Sequence, residues 1–212
     1  MSERGKYIVI EGNDGTGKST QVEQLQRRLG TIGITSIQIH EPDGVPIAGE
    51  LRTIIKNAHL ERDPWSNVLL FTAARRLNWL QAMKPALDQG QWVLAARSWI
   101  STVAYQGYGE GIDPRKIRER TIDDVGEQYL SPDLQLILSL QDVGRRQERI
   151  ASRGELEVPD TFESRDEGFQ TALEDGYDIF ARENGLEVID ASPLPDVVHE
   201  EIWKRVEPLT TQ

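Results

Sequence analysis

The feature that most constrains the fold of this chain is the stretch GNDGTGKST at residues 12–20. It follows the short apolar run YIVIE and precedes a segment with helical spacing. Glycines allow successive backbone N–H groups to turn toward one anion, and a following helix directs its positive N-terminal end to the same point. The spacing of Gly12, Gly17, Lys18 and Ser19 therefore predicts a strand, a phosphate-binding loop and a helix, in that order.

The same motif predicts a role for the residues of this loop. Lys18 would reach the terminal phosphates of a nucleoside triphosphate, and the Ser19 hydroxyl would coordinate Mg²⁺. The residues expected to hold the nucleotide are Gly12, Asn13, Asp14, Gly15, Thr16, Gly17, Lys18, Ser19 and Thr20. A glycine-rich turn followed by Lys and Ser by chance fits the flanking strand and helix less well. GTPases, helicases, motor ATPases and small-molecule kinases share the loop, so it predicts a ligand and not a reaction.

Short apolar segments alternate with longer segments of helical spacing along the chain. The predicted strands are 7–11, 35–40, 92–96, 134–140 and 186–191. The predicted helices are 18–30, 46–57, 64–87, 114–130, 142–152, 164–184 and 195–206. This alternation predicts an α/β fold in which helices cover both faces of a parallel sheet. With 212 residues and no internal repeat, residues 1–212 are expected to form a single domain.

Residues 153–168 depart from this alternation. Their sequence, RGELEVPDTFESRDEG, is polar, contains a proline and has no period, which is typical of an exposed loop. A plain surface connection is the simpler interpretation. A mobile lid is the alternative, because long loops in compact domains often cover a ligand.

Composition narrows the function classes. The absence of cysteine excludes a thiol nucleophile and a thiolate zinc site, whereas Mg²⁺ needs only oxygen ligands. The net charge of −11 argues against a nucleic-acid partner, because such affinity comes mostly from Lys and Arg. The chain has no apolar run of membrane-spanning length and no signal-peptide pattern, so we expect a cytoplasmic protein without a membrane partner.

Five stretches of the sequence resemble, in order, the motifs of one kinase family. They are YIVIEGNDGTGKSTQVEQL at 7–25, EPDGVPIAGELR at 41–52, LLFTAARR at 69–76, ARSWISTVAYQGYGEGID at 96–113 and RGELE at 153–157. In these motifs the chain is similar to the thymidylate kinases, nucleoside monophosphate kinases that make dTDP from dTMP and ATP. The segment STVAYQG after an arginine is a specific signal, which the phosphate-binding loop alone is not.

The resemblance implies a P-loop kinase fold of three layers, in which a five-stranded parallel sheet is flanked by helices. It implies that a lid segment at about 150–165 closes over the site of this single nucleoside monophosphate kinase domain. ATP and Mg²⁺ would be the cofactors and dTMP the acceptor. A homodimer built by helix packing is also implied, and an apolar face at 68–77 is compatible with it.

The resemblance further implies how the acceptor is bound. The residues concerned are Asp14, Pro42, Phe71, Arg75, Arg97, Thr102, Tyr105 and Gln106. Phe71 would stack on the pyrimidine, Arg75 would hydrogen-bond a base carbonyl, and Arg97 would hold the acceptor phosphate. Asp14 would bind the sugar 3′-hydroxyl or lie beside the magnesium ion. As alternatives, Phe71 is an ordinary core residue and Arg75 a solvated arginine on a helix surface.

Phosphoryl transfer also needs positive charge on the group that moves. In the family that the chain resembles, this charge comes from an arginine in the phosphate-binding loop or from arginines in the lid. The loop here contains no arginine, so the resemblance implies the lid, where Arg149 and Arg153 lie four residues apart. The predicted catalytic residues are therefore Lys18, Arg97, Asp14, Arg153 and Arg149, while Arg145 and Arg146 are not expected to take part. The alternative for all four of these lid-side arginines is a solvated basic helix face. The segment DASP at 190–193 would contact adenine, largely through backbone atoms.

Four positions differ from the pattern of the resemblance: Ala96 and Ala74 stand in place of aspartates, and His40 and Thr161 in place of arginines. The change at Ala96 removes a carboxylate that would bind magnesium directly or through water. The change at His40 removes a permanent charge near the acceptor phosphate. Two alternatives therefore stay open. One is a kinase for another, including a modified, deoxynucleotide; the other is a catalytically weak nucleotide-binding module that acts as a sensor or partner.

Overall fold

The computed structural model describes residues 3–152, 161–162 and 165–211. Within these ranges five parallel strands form one sheet in the order β2-β3-β1-β4-β5. The strands are β1 Tyr7–Gly12, β2 Ser36–His40, β3 Trp92–Ala96, β4 Leu134–Ser139 and β5 Glu187–Asp190. The α/β fold and the position of each predicted strand are confirmed.

The helices lie where helical spacing predicted them, with small differences at their ends, except that the short helix Trp99–Thr102 was not among those predicted. They are α1 Lys18–Thr31, α2 Pro46–Lys56, α3 Pro64–Asn78, α4 Lys84–Asp88, α5 Trp99–Thr102, α6 Pro114–Val125, α7 Val143–Ala151, α8 Glu167–Asn184 and α9 Pro195–Val206. Short 3₁₀ turns follow at Glu127–Leu130 and Glu207–Thr211. No helix of the described chain is both long enough and apolar enough to cross a bilayer.

Two stretches of helix widen into π geometry. Trp79–Met83 joins α3 to α4, and Val103–Gly109 continues α5. The first lies beside Pro85, which has no N–H to donate to the carbonyl four residues earlier, so the regular α-helical pattern is interrupted there. The predicted helix over 64–87 is therefore one continuous but locally widened helix.

Hydrophobic residues fill a layer on each face of the sheet. In β1, Tyr7 and Val9 pack into one layer, and Ile8 and Ile10 pack into the other, all with no exposed surface. Helices α1 and α9 cover the second layer, while α3, α6 and α8 contribute to the first. Burial on both faces explains why the strands are continuous apolar runs and do not alternate with polar residues.

The carboxyl ends of the strands meet at one edge of the sheet and position the candidate site. The loop 12–17 follows β1, Glu41 follows β2 and Arg97 follows β3. The strand order reverses at β1, which has β3 on one side and β4 on the other. In open α/β sheets a crevice lies at such a reversal, outside the carboxyl ends of the strands.

The predicted loop at 153–168 lies largely outside the described residues, which include only 161–162 and 165–168 of it. Where it is described, the prediction of an exposed loop is partly wrong. Phe162 is buried, with its ring 5.9 Å from that of Phe71 and 5.5 Å from that of Tyr105. An aromatic side chain gains more from this contact than from exposure to water, whatever the polarity of its neighbours in sequence.

Candidate active site

The loop after β1 has the backbone geometry that a phosphate-binding loop requires. Gly12, Gly15 and Gly17 have φ angles of 135°, 81° and 92°, in the region that favours glycine. A Cβ atom at Gly12 would collide with the carbonyl oxygen of Leu138. The Nζ of Lys18 donates to the carbonyl oxygen of Asn13 at 2.7 Å, so its side chain lies across the loop.

A cavity of about 410 Å³ lies between this loop and the ends of β2 and β3. Most of the predicted acceptor residues line it, namely Asp14, Pro42, Phe71, Arg97, Thr102 and Tyr105. Lys18 and Ser19 line it as well, so the cavity adjoins the predicted phosphate site. Phe71 and Phe162 both form part of the wall, and this position of Phe71 favours the predicted acceptor contact over an ordinary core position.

Arg97 and Asp14 form an ion pair at the loop side of this cavity. The Nη2 of Arg97 is 2.6 Å from Oδ1 of Asp14, and the hydroxyl of Tyr105 donates to Oδ2 of Asp14 at 2.7 Å. Burial by itself would raise the pKa of Asp14, but the positive charges of Arg97 and Lys18 outweigh it, and the pKa lies well below its ordinary value. Asp14 is therefore ionised throughout the neutral range.

Arg75 lies one layer behind the cavity and is 1% exposed. Its Nε donates to Oε2 of Glu41 at 3.0 Å, and its Nη2 donates to the hydroxyl of Thr102 at 2.9 Å. The Tyr129 hydroxyl donates to the other oxygen of Glu41 at 2.6 Å. Burial raises the pKa of Glu41, against the opposing effects of Arg75 and Tyr129. A solvated helix-surface arginine is excluded for Arg75, whereas its neighbour Arg76 is exposed.

Two buried polar atoms next to Thr102 have no hydrogen-bond partner among the described residues. They are Nη1 of Arg75, a donor, and Oε1 of Gln106, an acceptor. The Gln106 amide has a defined orientation because its Nε2 donates to Oε2 of Glu110 at 3.1 Å. Unpaired buried polar groups are costly, so each of these atoms would gain from a hydrogen bond with a ligand. Arg75 and Gln106 themselves are not among the residues that line the cavity; Thr102, which Arg75 contacts, is.

A second cavity, of about 340 Å³, lies on the other side of the loop. Gly15, Gly17, Arg149, Ala191 and Pro193 line it. The Nη1 of Arg149 donates to the carbonyl oxygens of Gly15, at 3.4 Å, and Ala191, at 3.2 Å. Arg149 is thus beside the segment 190–193, as expected if that segment contacts the adenine of the phosphate donor.

The structure describes only some of the other lid-side arginines. Arg153 lies outside the described residues. Arg146, for which the sequence predicts no role, is 4% exposed, forms an ion pair with Glu174 and lies against Gly15 in the loop. The interpretation of Arg146 as part of a solvated basic face of α7 is therefore wrong.

The residues available for Mg²⁺ are oxygen donors at the start of α1. Ser19 is exposed at the cavity wall, which fits the predicted coordination by its hydroxyl. In the part of the chain that the structure describes, no group of three or more His, Cys, Asp or Glu side chains could hold a metal ion. Ser19 together with nucleotide oxygens and water is compatible with Mg²⁺, because this ion keeps several waters.

Sequence reasoning missed two basic residues of the first cavity. Arg52 and Lys56 line it from α2. They lie four residues apart, a spacing that places two side chains on one helix face, directly after the predicted turn at 41–44. That spacing was the feature of the sequence from which these two residues could have been predicted.

Two of the four positions that differ from the resemblance are neighbours in the sheet. His40 in β2 and Ala96 in β3 are register partners, and both line the cavity. Side chains at paired positions of adjacent parallel strands share one face, roughly 5 Å apart. The positive charge missing at His40 and the negative charge missing at Ala96 would therefore have been close to each other. Burial also lowers the pKa of His40, against the opposing effects of Glu23 and Asp43, so the imidazole is uncharged at neutral pH.

The other two positions have structural explanations. Ala74 is completely buried in α3, where an aspartate would need a partner for its charge. Thr161 donates through its backbone N–H to the carbonyl oxygen of Lys56 at 3.0 Å, and through its hydroxyl to that of Ile55 at 2.9 Å. It thereby binds the carbonyl groups at the end of α2.

A parallel sheet of this order, with a glycine-rich loop between two cavities, defines the P-loop kinases as the class of this chain. Comparison with known proteins gives the family. The profile described as "Thymidylate kinase" matches residues 10–202. This chain belongs to the thymidylate kinase family.

Individual relatives agree over nearly the whole length. The thymidylate kinase of Pelotomaculum thermopropionicum is 34% identical over 207 residues, which cover 96% of this chain and 94% of that protein. The thymidylate kinase of Legionella pneumophila is 40% identical over 198 residues, covering 91% and 90%. The crystal structure of thymidylate kinase from Ehrlichia chaffeensis matches with a TM-score of 0.76 at 26% identity, covering 96% of this chain and 99% of that one.

We expect Arg75→Ala to lower the free energy of unfolding by about 3–5 kcal/mol, because Glu41 is then left buried without its cation. Arg76→Ala is the matched control, and its effect should stay within about 0.5 kcal/mol, because the side chain is exposed. Urea denaturation of both variants measures the difference. Equal effects would show that the buried pair contributes nothing specific.

We expect Ala96→Asp and His40→Arg to be strongly non-additive. Ala96→Asp alone places an unpaired carboxylate beside the acceptor phosphate and should lower kcat/KM for dTMP by about 10-fold or more. Adding His40→Arg supplies the neighbouring cation, and a coupling energy of about 0.5–3 kcal/mol is expected in the double-mutant cycle. Additive changes in kcat/KM would mean that the two side chains act independently.

Proposed function

We propose that this protein phosphorylates dTMP to dTDP with ATP and Mg²⁺. Membership of the thymidylate kinase family supports the reaction. The two cavities on either side of the loop fit a phosphate acceptor and a phosphate donor, and they share Gly17 and Thr20 as lining residues, on either side of Lys18 in sequence. In this arrangement a phosphate oxygen of dTMP attacks the γ-phosphorus of ATP, the bond to ADP breaks, and one phosphoryl group is transferred.

The observation that carries the choice of base is the pair of unpartnered atoms, Nη1 of Arg75 and Oε1 of Gln106. Thymine presents a carbonyl acceptor at C4 next to an N–H donor at N3, which matches one donor and one acceptor. Cytosine presents the opposite pair at these positions and would leave both protein atoms unsatisfied. A mismatch of this kind can reject a base by about 10⁴-fold.

The chain's own residues would divide the work as follows. Arg97 would bind the acceptor phosphate through its forked donors, and Phe71 would stack on the base. Lys18 would neutralise charge on the donor phosphates, with Arg149 and Arg153 adding positive charge from the lid. Mg²⁺, when bound at Ser19, would supply further charge neutralisation on the phosphate oxygens.

Several finer expectations belong to the same proposal. Residues 1–212 would act as one kinase domain, with residues near 150–165 as its lid. Its substrates would be the small nucleotides dTMP and ATP, without a nucleic-acid or membrane partner, and the reaction would take place in the cytoplasm. The surplus of acidic residues supports the lack of a nucleic-acid partner, because DNA and RNA are strongly anionic.

Two alternatives have one observation each in their favour. A kinase for another or modified deoxynucleotide is favoured by Lys56, a cation at the wall of the acceptor cavity. A weakly catalytic nucleotide sensor is favoured by Ala96, because the end of β3 carries no carboxylate.

The decisive experiment is ADP release from ATP and Mg²⁺ with dTMP, dUMP, dCMP, dGMP, dAMP, thymidine or no acceptor. Strong turnover with dTMP is expected, and Lys18→Met should lower kcat by about 100-fold or more. Lys84→Met, at an exposed lysine of α4, is the matched control and should leave kcat unchanged. Preference for another nucleotide would support the first alternative. ATP binding without acceptor-dependent turnover would support the sensor.

We also propose that two copies associate through α2 and α3. Val68 and Ala74 pack inside the chain, so the apolar face predicted at 68–77 is largely used there. The apolar side chains that α2, α3 and the following π turn leave exposed are Ile47, Ile54, Trp65, Leu69 and Leu80. Helices α2 and α3 pack against each other, and exposed apolar residues on neighbouring helices are typical of an interface.

Light scattering is expected to give twice the 24.0 kDa of one chain. Leu69→Glu should produce a monomer, because it buries a charge in the proposed interface. Leu194→Glu, at an apolar residue that is 75% exposed and lies outside this helix pair, should leave the mass unchanged. A wild-type monomer would contradict the proposal.

A further inference from the structure

Glu11 is a completely buried carboxylate in β1, immediately before the phosphate-binding loop. Its Oε1 accepts from the backbone N–H of Ser98 at 2.5 Å, from the Ser98 hydroxyl at 2.9 Å and from the backbone N–H of Ser101 at 3.2 Å. Its Oε2 accepts from the hydroxyls of Ser101, at 2.8 Å, and Tyr177, at 3.2 Å. Burial of a carboxylate is costly without such bonds, so this set of donors holds Glu11 in one position.

The donors to Glu11 surround Arg97. Arg97 has a φ of 76°, in the left-handed region. Among the described residues, all others with a φ in that region are glycines. Such a backbone conformation is unfavourable for a residue with a side chain and persists only where its surroundings enforce it. The bonds from Glu11 to the N–H groups of Ser98 and Ser101 fix the backbone directly after Arg97.

The same contacts orient the side chain of Arg97. Its Nη1 lies 3.0 Å from the Ser101 hydroxyl and 3.4 Å from the Tyr177 hydroxyl, and both hydroxyls contact Glu11. A hydroxyl has one hydrogen, and donating it to Glu11 leaves its lone pairs to accept from Arg97. Removing the carboxylate would take away the acceptor that fixes these hydrogens, so the two hydroxyls would no longer be held in the orientation in which they accept from Arg97.

We propose that Glu11 is a positioning residue that aims Arg97 at the phosphate of the acceptor. It acts through the backbone of Ser98 and through the hydroxyls of Ser101 and Tyr177, without touching the substrate. The inference rests on the proposed function, in which Arg97 binds that phosphate. Its consequence is that Glu11 controls the preference for a nucleoside monophosphate over the nucleoside.

The test is calorimetric binding of dTMP and of thymidine to the full chain without ATP. Glu11→Gln keeps the shape of the side chain but replaces one acceptor oxygen by a donor NH₂ group. It should weaken dTMP binding by about 10- to 100-fold, as expected for lost hydrogen bonds to a charged group, and change thymidine binding by less than about threefold. Damage to the fold would weaken both ligands alike, so the ratio of the two affinities is the readout.

A double-mutant cycle tests whether the effect passes through Arg97. In an Arg97→Ala background, Glu11→Gln should leave dTMP affinity unchanged, because nothing is left to position. If Glu11→Gln does not fold, Tyr177→Phe is the substitute, because it removes one of the hydroxyls that donate to Glu11. It should also lower the affinity for dTMP relative to that for thymidine. Thr121→Val, which removes a buried hydroxyl bonded to the Ile117 carbonyl in α6, is the matched control and should not change the ratio.

The possible outcomes distinguish the role of Arg97 from the role of Glu11. Wild-type protein that binds dTMP no more tightly than thymidine would overturn the acceptor role of Arg97 and this inference with it. Wild-type preference for dTMP that survives Glu11→Gln would overturn the role of Glu11 alone. The same holds if Glu11→Gln weakens dTMP binding equally in the Arg97→Ala background.

Discussion

The rest of the structure depends on the central position of β1, which is hydrogen-bonded along both edges and buried on both faces. Its register with β3 places Arg97 beside the phosphate-binding loop, and its register with β4 holds Gly12 against the backbone of Leu138. A strand with no free edge and no exposed face cannot shift without breaking two ladders and two hydrophobic layers. The loop that follows it therefore starts from a fixed point, and the two cavities open on either side of that loop.

Charge is the second constraint, because the site collects buried ionic groups in a chain of net charge −11. Arg75 with Glu41, and Arg97 with Asp14, form close ion pairs at the carboxyl edge of the sheet. Buried ion pairs add little to stability, since desolvation offsets their attraction, but they hold side chains in one geometry. An enzyme that must grip a dianionic phosphate inside a negative surface gains from cations that are already aimed.

The changes at positions 40 and 96 are best understood in the same electrostatic terms. Taken one at a time, each removes a charge that the reaction would use. In the sheet they are partners, so a lost cation lies beside a lost anion and the local balance of charge is preserved. Two further cations of this cavity, Arg52 and Lys56, lie on α2, and the sequence analysis assigned no role to either.

The sequence by itself determined the order of strands and helices, the phosphate-binding loop and the cavity residues Phe71, Arg97, Thr102 and Tyr105. The elements and the loop follow from local spacing, in which burial and backbone geometry act over a few residues, whereas the four cavity residues were expected from the resemblance of their motifs to those of thymidylate kinases. Only the tertiary structure decided which distant groups meet. Glu11 reaches Ser98 and Ser101 across 87 and 90 positions, Arg75 reaches Glu41 across 34, and Phe162 turns inward from a polar segment. Such contacts depend on strand register and helix packing, which bring together residues that carry no shared pattern along the chain.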